Sequence, residues 1–303
     1  LKMGWRSVII TQHAKLSYAS RMMTVQTRDG ISQIPLEDIS LLLINTTQAV
    51  ITTALISQLT KNEVKVIFSD EMHEPVCETV GYYPNTRDVD SIEQQMTWPV
   101  SRQANLWTKI VFAKIKNQMQ VLALYGNEVN ELNHELEKIE INDLSNREAT
   151  AARKYFPLLF EKNFTRRKKS PVNAALNYGY SILLSTVNQE IVSSGYLTYI
   201  GIHHHSEENS FNLGSDLMEP FRPIIDYWVA GQKFNELTPD VKYGLVEMLS
   251  LEIKFNDKKM LLKNAISVHV RNCLNFLNED SDQVKIEVEF TNEVPSHAIN
   301  DNV

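Results

Sequence analysis

Pro84-Asn85-Thr86-Arg87-Asp88 is where one hydrophobic rhythm stops and a different one starts. Proline removes a backbone donor, and the four polar residues after it offer no apolar face, so neither a strand nor a helix continues across them. Upstream, apolar residues come in short β-branched runs separated by turn formers: WRSVIIT (5–11), MMTVQT (22–27), ISQIPL (31–36), ISLLLIN (39–45) and VKVIFSD (64–70). That pattern predicts an antiparallel β domain over residues 3–84. Asp29-Gly30, between the second and third runs, predicts a tight hairpin turn, because this pair tolerates positive φ. One helix, over 52–61, is expected to be set into the domain ahead of a buried strand at 64–68.

Downstream, after a linker over 85–95, the spacing turns helical. Trp98, Leu106, Trp107, Ile110, Val111, Ala113 and Lys114 begin an amphipathic run that reaches about residue 125, and Val129, Leu132, Leu136 and Ile139 continue the stripe after Gly126. Trp98 and Trp107 have the type to stack on nucleic-acid bases, but aliphatic neighbours at helical spacing place them in a core. A further helix opens near Ser145 and runs to Pro157; Pro171 starts a long apolar one that stops near Gly195. Ala174, Ala175 and Gly179 in the latter allow a neighbour to approach closely, and Asn173 and Asn177, four apart, read as buried hydrogen-bonding amides. Helices near 224–231, 240–253 and 260–278 follow, then a polar tail over 281–303 that alternates weakly at 284–290. The expected fold class is α+β: an N-terminal antiparallel β domain, then an all-helical domain over 96–280.

The 303 residues, 43% of them hydrophobic, are enough for two cored domains. There is no apolar run of membrane-spanning length and no cleavable leader pattern, so no membrane partner and a cytoplasmic location are expected, with the natural start at Met3. Cys77 and Cys273 form no disulfide framework or CxxC metal spacing. No Walker loop, dinucleotide glycine motif or GxSxG elbow occurs. A net charge of −7 would by itself argue against nucleic acid, yet Lys162, Arg166, Arg167, Lys168 and Lys169 form a basic cluster opposed only by Glu161. A solvated loop is the plainer reading of that cluster.

Candidate metal chemistry concentrates in GIHHHSEENSFNLGSDLMEPFRP (201–223). Imidazole nitrogen and carboxylate oxygen are donors for Mg²⁺ or Mn²⁺ near phosphate. Asp216 and Glu219 are three apart, so on a helix they share one face. Acids at a helix start are equally ordinary macrodipole partners, and three consecutive histidines suit an exposed loop. Ser145 and Glu148 have the S-x-x-E spacing of a capping box, which would give Glu148 a purely structural task.

Four motifs in order, N-R-E-A-x-A-A-R-x-Y-F (146–156), P-x-N-A-x-L-x-Y-G-Y (171–180), G-x-x-H (201–204) and D-L-M-E-P-F-R-P (216–223), follow a β domain and a linker. The chain in this respect resembles CRISPR-associated protein one, the spacer-acquisition integrase family, over residues 3–280. Met3-Gly4-Trp5-Arg6 is similar to the opening of the bacterial type II-A branch.

The resemblance implies a metal-dependent catalytic domain in which Glu148, His204 and Glu219 hold Mg²⁺ or Mn²⁺ and Asp216 supports the cation or one of its ligands. His203 and His205 flank the chosen histidine, and the spacing from Gly201 selects His204; many relatives carry Asp where Glu219 stands. The implied reaction joins the 3′-hydroxyl ends of prespacer DNA to a CRISPR repeat by transesterification. Arg147, Arg153, Lys162, Arg166, Arg167 and Lys168 are candidate DNA contacts, chosen by charge. Implied partners are a second copy of the chain, a dimer of CRISPR-associated protein two, and the type II-A accessory ring protein and effector nuclease. The homodimer is expected to form through the β domain, whose apolar runs at 39–44 and 64–68 are suited to burial on both faces. The alternatives are a stand-alone metal-dependent nuclease on branched or single-stranded DNA, and a non-catalytic DNA-binding scaffold.

Overall fold

Ile39–Ile44 (ISLLLI) is buried along nearly its whole length rather than on alternate residues, which is how a strand at the centre of a parallel sheet reads. In the computed structural model, which describes residues 6–71, 75–79 and 89–290, this strand lies inside one of two compact units, Leu1–Tyr83 and Pro84–Val303. The proposed start at Met3 with the opening motif through Trp5, linker residues 85–88 and the tail beyond 290 lie outside the described residues.

The first unit runs β1 (Arg6–Ile10), β2 (Lys15–Ala19), β3 (Met22–Thr27), β4 (Gly30–Pro35), β5 (Ile39–Ile44), β6 (Val50–Ile51), α1 (Thr53–Lys61), β7 (Lys65–Ser69) and β8 (Pro75–Glu78). Two sheets result, in the orders β1-β5-β7-β8 and β4-β3-β2-β6. The expected all-antiparallel arrangement needs correction: β1 with β5, β5 with β7, and β2 with β6 pair in parallel. The cause is α1, which carries the chain back across the sheet between β5 and β7 as a parallel pair requires. Leu16, Met23, Leu42, Leu55, Leu59 and Val66 fill the core between sheets and helix. The hairpin forms one residue earlier than the Asp-Gly pair suggests: Thr27 pairs with Gly30, so Arg28 and Asp29 make the turn and Gly30, at φ 146°, closes it.

The second unit begins, as described, with α2 (Val89–Met96) and α3 (Val100–Leu124), then α4 (Asn130–Leu136), α5 (Arg147–Leu159), α6 (Pro171–Ser193), α7 (Asn212–Met218), α8 (Arg222–Gly231) and α9 (Pro239–Glu247). Helix α2 occupies most of the stretch expected as linker. It is held by a polar clamp, Gln95, whose amide donates to Leu197 O (2.8 Å) and accepts from Leu197 N (2.8 Å), a feature with no hydrophobic period to announce it. Buried Leu106, Trp107, Ile110, Ile115 and Leu122 on α3 and Leu176, Ile182, Leu183 and Val187 on α6 centre the core. Gly179 does admit a close neighbour: a β-carbon there would stand 2.5 Å from Ile225 of α8.

The chain then forms β9 (Glu252–Phe255), β10 (Lys258–Leu261), α10 (Leu262–Leu277) and β11 (Val288–Phe290), with sheet order β10-β9-β11. The expected helix over 240–253 therefore stops at Glu247, and the helical unit is not purely helical. Ile253 and Phe255 are buried while Glu252 is exposed, a period of two, and Asn256 and Asp257 at φ 47° and 68° supply the hairpin turn. The alternation at 284–290 becomes strand β11, tied to α3 by Gln120 Nε2 donating to Val288 O (2.8 Å). The α+β class, strands first and helices after, is met. Among the described residues no helix is long and apolar enough to cross a membrane.

Candidate active site

The entry to α5 is built from left-handed backbone. Asn142, Asp143 and Asn146 have φ of 63°, 48° and 52°, a conformation that asparagine and aspartate accept more readily than other side chains do. The buried Asp143 carboxylate then accepts the N–H groups of Arg147 (2.7 Å) and Glu148 (2.9 Å), and Asn146 caps the helix by accepting from Ala149 N (3.2 Å). The capping box between Ser145 and Glu148 is thus not made. Ser145 Oγ accepts instead from Arg147 Nε (3.0 Å), and the Glu148 carboxylate, freed from helix-end duty, pairs with Lys114 of α3.

Lys114 stands in the apolar stripe of α3 with its side chain 7% exposed. Its ammonium meets Glu148 on one side and Glu219 Oε2, 2.5 Å away, on the other. Burial works against this charge, but the Glu219 and Glu148 carboxylates outweigh it and raise the lysine pKa. Glu219 follows α7 on a short 3₁₀ turn that Pro220 begins to shape, and Asn117 of α3 donates to Pro220 O (2.7 Å) to fix that turn. Arg222 Nη1 donates to Glu219 Oε1 (2.7 Å), and its guanidinium lies 4.1 Å from the Tyr180 ring centroid. Although burial disfavours ionised Glu219, Arg222 and Lys114 hold its carboxyl well below the usual range.

Asp216 is fully buried and turns the other way. Its carboxylate accepts the N–H groups of Ile202 (2.7 Å), His203 (3.0 Å) and His204 (3.2 Å), so the histidine loop is wound around it. Only glycine fits at 201: a β-carbon would stand 2.5 Å from the His204 carbonyl oxygen and 2.7 Å from Asp216 Oδ2. The fourth partner is His204 itself, whose Nδ1 lies 2.5 Å from Asp216 Oδ1. That hydrogen bond raises the imidazole pKa against the opposing effect of burial. With Nδ1 donating to the carboxylate, the Nε2 lone pair is left for another partner. His203 instead lays its ring flat on Trp107, centroids 4.1 Å apart and planes within 6°, and burial lowers its pKa.

Of the basic candidates, Arg147 donates to Glu135 Oε2 (3.0 Å) and Arg153 to Thr150 Oγ1 (3.1 Å). Arg166 is occupied in the fold: it donates to Asn173 and Asn177, and its guanidinium lies over the Phe156 and Tyr180 rings at 5.7 and 5.2 Å. Asn173 in turn donates to Thr165 O (2.8 Å) and Lys168 O (2.7 Å), so Arg166 and the two amides close the 162–169 loop onto α6. Lys162, Arg167, Lys168 and Lys169 are exposed and make no ion pair among the described residues.

The residues present suit a divalent cation in kind: two carboxylates, an imidazole with one nitrogen available, and a buried Glu219 Oε2 that makes no well-directed hydrogen bond. Among the described residues, however, no three His, Cys, Asp or Glu side chains close into a ready-made metal site. The carboxylates converge on a lysine ammonium, which is a resident cation at that place. Lys114 and Asp143 were not singled out as functional by sequence reasoning. The available signal for Lys114 was a charged residue set among core positions; Asp143 carried none beyond proximity to the N-R-E-A motif.

The family model described as CRISPR associated protein Cas1 matches residues 7–237. The chain is 34% identical over 258 residues to the CRISPR-associated endonuclease Cas1 of Neisseria meningitidis serogroup C (strain 8013), covering 83% of this chain and 85% of that protein. Its fold is similar to that of a casposase bound to integration product, with a TM-score of 0.77, 18% identity and 92% of each chain covered. It is also similar to a Cas6-RT-Cas1–Cas2 complex, with a TM-score of 0.72, 19% identity, and 93% of this chain and 36% of that chain covered. Sequence match and fold agree across both units, and the chain belongs to the CRISPR-associated Cas1 family.

Proposed function

We propose that the protein joins 3′-hydroxyl ends of prespacer DNA to a CRISPR repeat by metal-dependent transesterification during CRISPR adaptation. The observation that carries this reading is the convergence of Glu148 and Glu219 on one buried cation, beside a histidine whose Nδ1 is held by Asp216. Glu148, Glu219 and His204 Nε2 would hold Mg²⁺ or Mn²⁺. When bound, such an ion favours ionisation of the attacking hydroxyl and offsets charge on the phosphodiester.

The protein's own groups do the positioning. Asp216 keeps the His204 proton on Nδ1 and fixes the ring. Arg222 and Lys114 keep Glu219 ionised and in place, Lys114 also pairs with Glu148, and Asp143 holds the backbone from which Glu148 projects. No side chain here acts as a covalent nucleophile. The exposed cations Lys162, Arg167, Lys168 and Lys169, with Arg153, supply a surface for DNA phosphates. A homodimer working with a dimer of CRISPR-associated protein two is the proposed assembly, in keeping with the Cas1–Cas2 complex among proteins of similar fold; type II-A accessory and effector proteins are proposed further partners.

A second reading, hydrolysis of branched or single-stranded DNA with water in place of the 3′-hydroxyl, is favoured by the name endonuclease carried by the Neisseria relative. Incubating the protein with labelled DNA ends, a repeat duplex and Mg²⁺ or Mn²⁺ separates the two. Joined strands are expected; cleaved strands without joining support hydrolysis, and neither product refutes both.

A further inference from the structure

Among the described residues, Lys114 pairs with both of the glutamates assigned to the cation. It cannot move off to bulk water easily, because it is 7% exposed and rises from the middle of the 25-residue helix α3, flanked by fully buried Val111 and Ile115. Glu219 also carries Arg222, so the two carboxylates already face two permanent cations. A divalent ion entering between the carboxylates adds two positive charges to a set that is balanced without it.

We infer that Lys114 is an internal competitor for the divalent cation: it holds Glu148 and Glu219 convergent when no ion is bound and sets an upper limit on how tightly an ion binds. This rests on the cation site proposed above. The ammonium is a positioning group of opposing effects. It keeps two like-charged carboxylates from repelling each other apart, and it must give up its close pairing with them before both can ligate. The surplus positive charge created when the ion enters is then available to an anionic phosphodiester, so the cation is retained best with DNA present.

The test uses the full chain and Mn²⁺ alone as probe, with Lys114→Met and Lys114→Gln as neutral variants and Lys114→Arg as a charge-conserving one. Calorimetry on the neutral variants is expected to give Mn²⁺ affinity about tenfold or more above the parent, as removal of a close like charge dictates. Their melting temperatures without Mn²⁺ fall below the parent's and rise further than the parent's when Mn²⁺ is added. Lys114→Arg stays close to the parent in affinity. Neutral variants that bind Mn²⁺ no more tightly than the parent overturn the inference. Should both neutral variants fail to fold, the parent labelled with ¹⁵N at lysine Nζ decides: Mg²⁺ at calorimetric saturation shifts the Lys114 ammonium resonance, and an unmoved resonance overturns the competition. Mn²⁺ binding that is lost in Glu148→Gln but unchanged in Lys114→Gln sinks the lysine's role alone; binding indifferent to Glu148→Gln sinks the site as well.

Discussion

His204 Nδ1 lies 2.5 Å from Asp216 Oδ1, and the same carboxylate gathers three consecutive backbone N–H groups of the loop that carries the histidine. One buried side chain thereby sets the loop's path, the ring's orientation and its tautomer. Asp216→Asn puts an amide NH₂ where only acceptors are tolerated. It is expected to cost about 10–100-fold in Mn²⁺ affinity, the usual scale for losing the partner of a ligating histidine, and to lower the melting temperature. Calorimetry together with a thermal melt checks this; parental Mn²⁺ binding in Asp216→Asn would show that His204 is no ligand.

Glu148→Gln is expected to reduce DNA joining by more than about 100-fold, since a direct ligand matters more than its support. Stability should stay within about 1 kcal/mol of the parent, because Asn146 and Asp143, not Glu148, cap α5 and because Lys114 keeps Glu219 as a partner. A joining assay beside urea unfolding distinguishes the two effects. A variant that joins DNA at the parental rate removes Glu148 from the reaction.

The basic loop divides into exposed cations and one that the fold employs. Replacing Lys162, Arg167, Lys168 and Lys169 by alanine is expected to weaken DNA binding and to lower the log–log salt slope by about 0.9 for each duplex phosphate that is no longer neutralised. Arg166→Ala should act mainly on stability, because its guanidinium holds Asn173, Asn177 and two aromatic faces. Salt-dependent binding curves and thermal melts on both variants separate these outcomes. An unchanged slope in the fourfold variant returns the loop to a solvated surface.

Asp226 is buried in α8 with Tyr180 donating to it, and burial raises its pKa to about 6 from 3.8 against the lowering effects of Tyr180 and Arg222. The folded state therefore keeps a proton that the unfolded chain releases. This contribution is complete below about pH 4 and is lost as pH rises through about 6. Asp226→Asn should gain on the parent across that window, by up to about 3 kcal/mol at neutral pH. Denaturant unfolding at a series of pH values checks the sign, and a parent that gains stability relative to Asp226→Asn between pH 4 and 6.5 contradicts it.

The order of strands and helices was legible because β-branched runs and helical stripes are local signals. Pairing direction was not: the hairpin at 27–30 suggested antiparallel strands throughout, and the parallel pairing of Ile39–Ile44 with both neighbours emerged only in the structure. Strands β9 and β10 are too short to outweigh the helical residues around them, and their turn depends on Asn256 and Asp257 adopting positive φ. Glu148, His204, Asp216 and Glu219 could be named from motifs, but what each touches is a matter of tertiary geometry. Asp216 and Glu219, three apart and expected to share a face toward one cation, turn to different partners: Asp216 lies within α7 and meets the histidine loop, while Glu219 opens the 3₁₀ turn that follows Met218 and meets Lys114 and Arg222. Lys114 was visible only as one more position on a buried stripe.

Gln120, six residues beyond Lys114 on α3, reaches across 168 positions of sequence to donate to Val288 O. During synthesis that carbonyl is added after the other described strands and helices of the second unit, and until β11 arrives, β9 keeps one edge open. The helix that bears the internal cation is thus finished late. The three residues Val288–Phe290 thus do two things at once: they cover the open edge of β9 and give the Gln120 amide of α3 its acceptor.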